Sequence, residues 1–394
     1  MISELVGIAS SILLSVTSVS DEALEQVVDQ PQNTVNIIMT GDILLHTPVE
    51  EAAVQSDGSI NFDSIFANTR DIISGADLAL VNQEVIIGGE DLGVSGYPAF
   101  NAPYEIGDAL VDSGFDVILH ATNHALDKGK NGILNCINFW ETNYPDITYL
   151  GINDSSKQQD SIYFFQKGNK KIAVLNYTYG TNGIELPSDM PYAVNLLDED
   201  KVRSDIQRAE AEGDFTIVCP HWGTEYNLGI SDQQKKWTDI FYEEGVDLVI
   251  GTHPHVVEPV EIIHKEGNAH KMLVYYSLGN YVNWTSGTGD GVSDRMLGAI
   301  ADVDLDISGN AAGAEVTTGG SVISDEDVYI KDYDVDLIVS HVTSGTNGVT
   351  VYKLDDYTQE LAGQNEIVSQ DPDFSLEYLN ALSQQVFGDL VNDK

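Results

Sequence analysis

Seven apolar runs of strand length punctuate residues 34 to 282: TVNIIMTG, ADLALVNQE, FDVILHAT, KKIAVLNYTY, DFTIVCPHWG, VDLVIGTHPH and MLVYYSLGNYV. Each is too short for a helix and too uniformly apolar for a strand with one wet face, so each reads as a buried strand. Stretches with helical spacing separate them near 104 to 113, 130 to 142, 198 to 211 and 232 to 244. That alternation is the pattern of an α/β fold. After residue 297 it gives way to alternating strands rich in Gly, Thr and Asp, followed by a short helix near 374 to 386. No internal repeat is present. With 394 residues, 42% of them hydrophobic, the chain can build one large domain with additions. The expected division is an N-terminal segment and acidic linker over 1–33, a main domain over 34–365 and a C-terminal helical tail over 366–394.

The polar residues of the apolar stretch gather where the strands end. Asp42 follows IIMTG, Glu84 follows LALVNQ, Asn123 and His124 follow VILHAT, His221 follows FTIVCP, and His253 and His255 follow LVIGT. Ligand sites of open α/β sheets lie outside the carboxyl ends of the strands, so separate segments would deliver these groups to one edge. His46 and His120 fall in the same segments. Imidazole, carboxylate and amide oxygen together suit borderline divalent metals such as Zn, Mn or Fe, whereas Ca would take oxygen ligands throughout. Two such ions, roughly 3.5 to 4 Å apart, can activate water and clamp a displacement at phosphorus. Singly, each residue also has a structural explanation. Asp42 could cap the turn after Gly41, Glu84 could be an exposed loop carboxylate, Asn123 and His124 could form a local turn, and His221 beside Trp222 could be a packed corner. His253-Pro254-His255 resists this more, because proline favours an extended backbone on which imidazoles at i and i+2 project to one side.

Charge and cysteine content exclude more than they assign. Lys and Arg total 18 against 63 Asp and Glu, a formal net charge of −45, and such a field repels polyanions, so nucleic acid is not an expected partner. Cys136 and Cys219 cannot form a CxxC pair, and Cys219, closing an apolar run, is expected to be buried. Residues 1–20 hold an apolar stretch, but Glu4 stands where a signal peptide carries Lys or Arg, and a trimmed or rebuilt N-terminus is the expectation. The glycine-rich GTGDGVS at 287 to 293 lacks a following GK[ST] and is no phosphate loop.

The strings GDILLH, VNQEV, ATNHALDKG, PHWGTEY, GTHPHVVEPVE and YSLGNYV, in this order, resemble the bacterial capsule-synthesis family (CapA type) associated with poly-γ-glutamate. The resemblance runs from roughly residue 35 to 365, closing at VYKLDDYTQELA. That family is similar to calcineurin-like metallophosphoesterases. The resemblance implies a four-layer α/β/β/α sandwich with a C-terminal β-rich extension and a dinuclear metal site at one edge. By motif, Asp42 would ligate the first ion, Glu84 would bridge both, Asn123, His221 and His253 would ligate the second, and His255 would return to the first. His124 would be the general acid, oriented by Asp127. Two departures stand out. Leu44 occupies the place of the superfamily's first-motif histidine, leaving His46 as the nearest imidazole, and Glu84 replaces a bridging aspartate.

Candidates for substrate contact are Asn82, Trp222, Glu225, Tyr226, Asn280 and Arg295, the last notable in a chain with so few positive charges. The function expected from the resemblance is a metal-dependent hydrolase-like protein, with metal-activated water and His124 as acid. It would act in synthesis, release or attachment of an anionic cell-surface polymer. Two alternatives stay open: a non-catalytic metal-containing surface component that binds the polymer during export, and a γ-glutamyl amide hydrolase. The implied location is the cell surface or exterior, possibly membrane-attached, with the polymer or its precursor and membrane-bound capsule-synthesis proteins as partners.

Overall fold

The alternating runs resolve into two sheets packed face to face. In the computed structural model, residues 33–284, 287, 291–309, 328–343 and 348–391 are described. The N-terminal segment expected over 1–33 lies outside them apart from Asn33, as does part of the glycine-rich run at 287 to 293. The first sheet begins with parallel β1 (Thr34–Ile43), β2 (Leu78–Asn82), β3 (Val117–Leu119) and β4 (Thr148–Leu150). The second contains β5 (Tyr163–Lys167), β6 (Lys170–Thr178), β7 (Phe215–His221), β8 (Leu248–Ile250), β9 (Val260–His264) and β10 (Lys271–Tyr275), in the order β5-β6-β7-β8-β10-β9. The chain then returns to the first sheet. There β11 (Asn280–Val282) lies parallel to β1, and β12 (Leu297–Asp306), β13 (Tyr329–Thr343) and β14 (Gly348–Lys353) extend it antiparallel as β14-β13-β12-β1-β2-β3-β4.

Continuous apolar runs are needed because the second sheet is covered on both faces. On β6, Ile172 and Val174 join the large core shared with the first sheet, while their neighbours Ala173 and Leu175 meet Val202, Ile206, Trp237 and Phe241 of the helices Glu199–Glu212 and Asp232–Glu244. Helices Glu105–Ser113 and Gly129–Asn143 bury Ile106, Leu110, Ile133, Ile137 and Trp140 in the first core. Each such side chain stabilises the fold by about 2 kcal/mol relative to exposure. The result is a four-layer α/β/β/α sandwich with a C-terminal β-rich extension. The extension is continuous with the first sheet, since β12 pairs with β1 from Thr34–Asp306 to Thr40–Ile300. Helix Leu376–Phe387 docks on the same core through Leu379, Leu382 and Phe387.

One expected strand proves to be two. MLVYYSLGNYV splits into β10 of the second sheet and β11 of the first, and the chain crosses between sheets over residues 276–279. Gly279 takes φ 63° at this crossing, a left-handed value that glycine adopts without a Cβ penalty. Its carbonyl accepts from the Asp42 amide at 3.0 Å. A Cβ on Gly41 would stand 2.0 Å from that same oxygen, so only glycine fits beneath the crossing. Gly75, at the end of the helix Arg70–Gly75, has nothing within 4 Å of its Cβ position. Gly41→Ala should therefore cost about 2 kcal/mol or more in denaturant unfolding, because the blocking atom is backbone, while Gly75→Ala should change stability by no more than about 1 kcal/mol. Equal stability of the two variants would contradict the close approach.

Candidate metal centre

The two sheets present their strand ends to one another across this crossing. From the first sheet, β1 supplies Asp42, β2 leads into Asn82 and Glu84, and the turn after β3 supplies Asn123 and His124. From the second, β7 ends in His221 and the segment after β8 carries Thr252, His253 and His255. All are buried. Glu84, His221 and His253 offer ligand atoms within 4.8 Å of one another, and so do Asp42, Glu84 and His255. Glu84 belongs to both groups. Its Oε1 lies 3.6 Å from His255 Nε2, 3.8 Å from His221 Nε2 and 4.0 Å from His124 Nε2. Asp42 Oδ2 lies 3.2 Å from His255 Nδ1 and accepts the His253 amide at 3.2 Å. Asn82 Nδ2 donates to Asp42 Oδ1 at 2.8 Å, and Asn123 Oδ1 stands 2.9 Å from His221 Nε2.

Whether these residues suit a metal is tested by what they leave unsatisfied. Both carboxylate oxygens of Glu84, Oδ1 of Asn82 and Nδ1 of His253 are buried with no hydrogen-bond partner. Buried polar atoms are almost always paired, and an unpaired carboxylate costs most of all. Three imidazoles and two carboxylates gathered in overlapping groups, with the lone pairs of Glu84, Asn82 and His253 left free, fit a divalent cation.

The protonation pattern agrees. Burial holds His221 and His253 well below the usual histidine range, with neighbouring imidazoles adding to it, so both are neutral donors. At His255 burial opposes the charge, but Glu84 and Asp42 outweigh it and raise the group to about 9. Burial, with Asp42 adding, lifts Glu84 well above the ordinary carboxylate range. The pair formed by Glu84 and His255 thus holds a proton at neutral pH that a metal would have to displace.

The backbone is strained where the ligands are carried. His253 (φ 102°) and His255 (φ 60°) both occupy left-handed space, which a side chain resists and which persists only when its surroundings impose it. The extended tripeptide expected around Pro254 is therefore not formed. The segment turns, with the two ring centroids 5.8 Å apart; His253 joins Glu84 and His221, His255 joins Asp42 and Glu84, and the two meet only in a third group with Glu225. His124 Nδ1 pairs with Asp127 Oδ2 at 2.6 Å, and that oxygen also accepts the Phe100 amide at 2.7 Å. This leaves Nε2 of His124 facing Glu84.

Other expected residues fall at varying distance. Leu44 is turned into the core. His46 packs edge-on to Phe100, ring centroids 5.2 Å apart, and enters none of the ligand groups; burial, then His255, His124 and Arg295, lower it to about 4. His120 is a core residue, accepting from Trp140 Nε1 at 3.0 Å. Trp222, expected to line a groove, is fully buried against Tyr276 and Phe241, its indole donating to the Tyr276 carbonyl at 2.9 Å. Asn280 is likewise buried, its Oδ1 3.0 Å from His255 Nδ1. Glu225 is exposed yet offers an oxygen within 4.8 Å of His253 and His255. Tyr226, 48% exposed, lies 5.9 Å from the His255 ring. Cys136 and Cys219 are both free and buried.

Sequence reasoning missed three neighbours. Tyr179 stands with its ring 4.6 Å from that of His253, and Asn182, at φ 51°, bridges Asn123 (3.3 Å) and His124 (3.4 Å). Both follow the carboxyl end of β6, where the same strand-end rule applies. Phe100, 4.6 Å from His124 between ring centroids, arrives from a loop with no such signal.

Fold and donor set together define a four-layer α/β/β/α protein with a site able to hold a divalent metal. Within that class the chain belongs to the family described as bacterial capsule synthesis protein PGA_cap, whose profile matches residues 36–285. It is 26% identical over 289 residues to the capsule biosynthesis protein CapA of Bacillus anthracis, covering 70% of this chain and 67% of that protein. It is 30% identical over 190 residues to the PGA biosynthesis protein CapA of Bacillus subtilis (strain 168), covering 45% of each. Among solved structures, a 5'-nucleotidase precursor from Thermus thermophilus overlays with TM-score 0.43 at 13% identity, covering 90% of this chain and 59% of that one. Among the described residues, no helix is long and apolar enough to cross a membrane.

Because the Glu84 and His255 pair must lose a proton to bind metal, apparent metal affinity should rise with pH, by up to tenfold per unit, until about 9, and flatten above it. Calorimetry in buffers of different ionisation enthalpy should find about one proton released per chain on metal loading near neutrality. Affinity independent of pH from about 6.5 to 8.5 would contradict the assignment.

Proposed function

We propose that the chain is a metal-dependent hydrolase that cleaves a phosphoryl or related ester bond on an anionic cell-surface polymer or its precursor, at the outside of the cell. The observation that carries this reading is Glu84, whose two buried, unpartnered oxygens are shared by two ligand groups. Asp42, Glu84 and His255 would hold one ion and Glu84, Asn123, His221 and His253 the other, with Zn, Mn or Fe matching the mixed donors. When bound, the metal lowers the pKa of water toward neutrality and stabilises developing negative charge.

The remaining work belongs to side chains of this chain. Asp127 accepts from Nδ1 of His124, which fixes the imidazole and its tautomer. In the imidazolium form both ring nitrogens carry protons, and the one on Nε2 would pass to the leaving oxygen while Nδ1–H stays on Asp127. Asn182 and Phe100 both contact the same ring and limit its swing. Asn82 holds Asp42 in place through its amide. The fine division of roles, including His46 at the edge of the site and Glu225 and Tyr226 at its exposed rim, is part of the proposal.

A second reading, cleavage of a γ-glutamyl amide, is favoured by the PGA description of the family and of one relative. Assays on a generic phosphodiester and on a γ-glutamyl peptide separate the two. His124→Ala should lower kcat by about 10²- to 10⁴-fold with metal content unchanged, and Asp127→Asn should lower it less. Full turnover by His124→Ala would remove the assigned acid. Failure of the parent protein to cleave either substrate would leave a binding component of the polymer-export apparatus.

A further inference from the structure

Arg295 sits in the short turn Ser293–Met296 between β11 and β12. Its guanidinium carbon lies 3.7 Å from the centroid of the Tyr226 ring, which in turn lies 5.9 Å from the ring of His255. One amide nitrogen, Nδ2 of Asn280, donates both to the His255 carbonyl (3.0 Å) and to the Arg295 carbonyl (3.1 Å), so the arginine turn and the ligand segment are tied at a single side chain. On the other side of the turn, Asp294 accepts the hydroxyl of Tyr378 in the helix Leu376–Phe387. Arg295 and Tyr378 both lie beyond the residues matched by the family profile.

The arginine is set apart by its place: Arg70 also has no carboxylate pair among the described residues and a buried Nε without a partner, but Arg295 lies against Tyr226 beside His255. Arg203 and Arg208 each pair with carboxylates. Among the described residues no carboxylate pairs with Arg295, and its Nε is buried without a partner. In a chain with 63 acidic and 18 basic side chains, a guanidinium at the edge of the site with no carboxylate pair keeps its N–H groups for another anion. Stacking on an aromatic ring uses the face of the guanidinium and leaves the N–H groups at its edge to donate.

We propose that Arg295, stacked on Tyr226, is the anion-recognition residue of the site and takes a carboxylate or phosphate group carried by the substrate beside the bond attacked. The planar fork binds either group through paired N–H bonds. Asn280 sets its distance from His255, and Tyr378 makes the C-terminal helix a positioning element for it. This rests on the hydrolase reading for where the bond lies; anion binding itself does not depend on turnover.

Calorimetric titration of the full chain with γ-glutamyl-glutamate, its fully amidated analogue and inorganic phosphate tests it. At least one anion should bind the parent protein tenfold or more tighter than Arg295→Gln, while the amidated peptide binds both alike. Arg295→Lys should fall between, retaining charge without the fork, and Tyr378→Phe should weaken the same anion by a smaller factor. The anion that loses affinity identifies the group: the peptide alone means a carboxylate, phosphate alone a phosphoryl group. Thermal unfolding of Arg295→Gln at the parent temperature excludes misfolding, and rescue by lysine does so independently. Equal binding of both anions to parent and Arg295→Gln, or binding of neither to the parent, overturns the proposal. Arginine-dependent binding without any cleavage would instead overturn the hydrolase reading and leave this one standing.

Discussion

The chain must cross from one sheet to the other at the point where both sheets end, and that crossing governs the site. Gly41 and Gly279 permit it by letting two backbones approach closer than any side chain would allow, with the Asp42 amide bonded to the Gly279 carbonyl. The same contact sets Asp42 opposite Asn280 in register. From there Asn280 reaches His255, and Asp42 reaches the His253 amide. Residues more than two hundred positions apart are thus fixed by main-chain geometry before any ligand is considered. A site built from strand ends in this way inherits the rigidity of both sheets.

The second constraint is electrostatic. Glu84 and Asp42 are fully buried, and neither would stay there without compensation. His255, held protonated by them, supplies part of it; the free lone pairs on Glu84, Asn82 and His253 mark what is missing. The left-handed backbone at His253 and His255 is a cost borne in the same place. Buried charge, unpaired lone pairs and left-handed backbone coincide at this locus, whereas some helices follow local preference alone. The helix Asp232–Glu244, for example, opens with a reciprocal Ser231–Gln234 cap and closes at a left-handed Gly245.

Much of this was legible in the sequence because the strand-end rule acts on short, apolar, unmistakable runs. It led to Asp42, Glu84, Asn123, His124, His221, His253 and His255, which the structure gathers at one edge, and to helices within a residue or two of those observed. Where it failed, tertiary contacts decided. MLVYYSLGNYV has uniform composition, and nothing local shows that its two halves belong to different sheets. Trp222 and His120 carry the same chemistry as groove and ligand residues, yet burial against Tyr276 and Trp140 makes them packing elements. Tyr179 and Asn182 were within reach of the rule and were missed because YTYGTN carries no acid or histidine. Phe100 comes from a loop whose path only the assembled fold fixes.

The most direct test of the account is the metal content of the purified chain by elemental analysis, with and without the paired change His253→Ala and His255→Ala. The account predicts close to two divalent ions per parent chain and their loss in the paired variant, with the fold retained by circular dichroism. A parent protein that binds no divalent ion at any pH, or a paired variant that keeps its full complement, would contradict it.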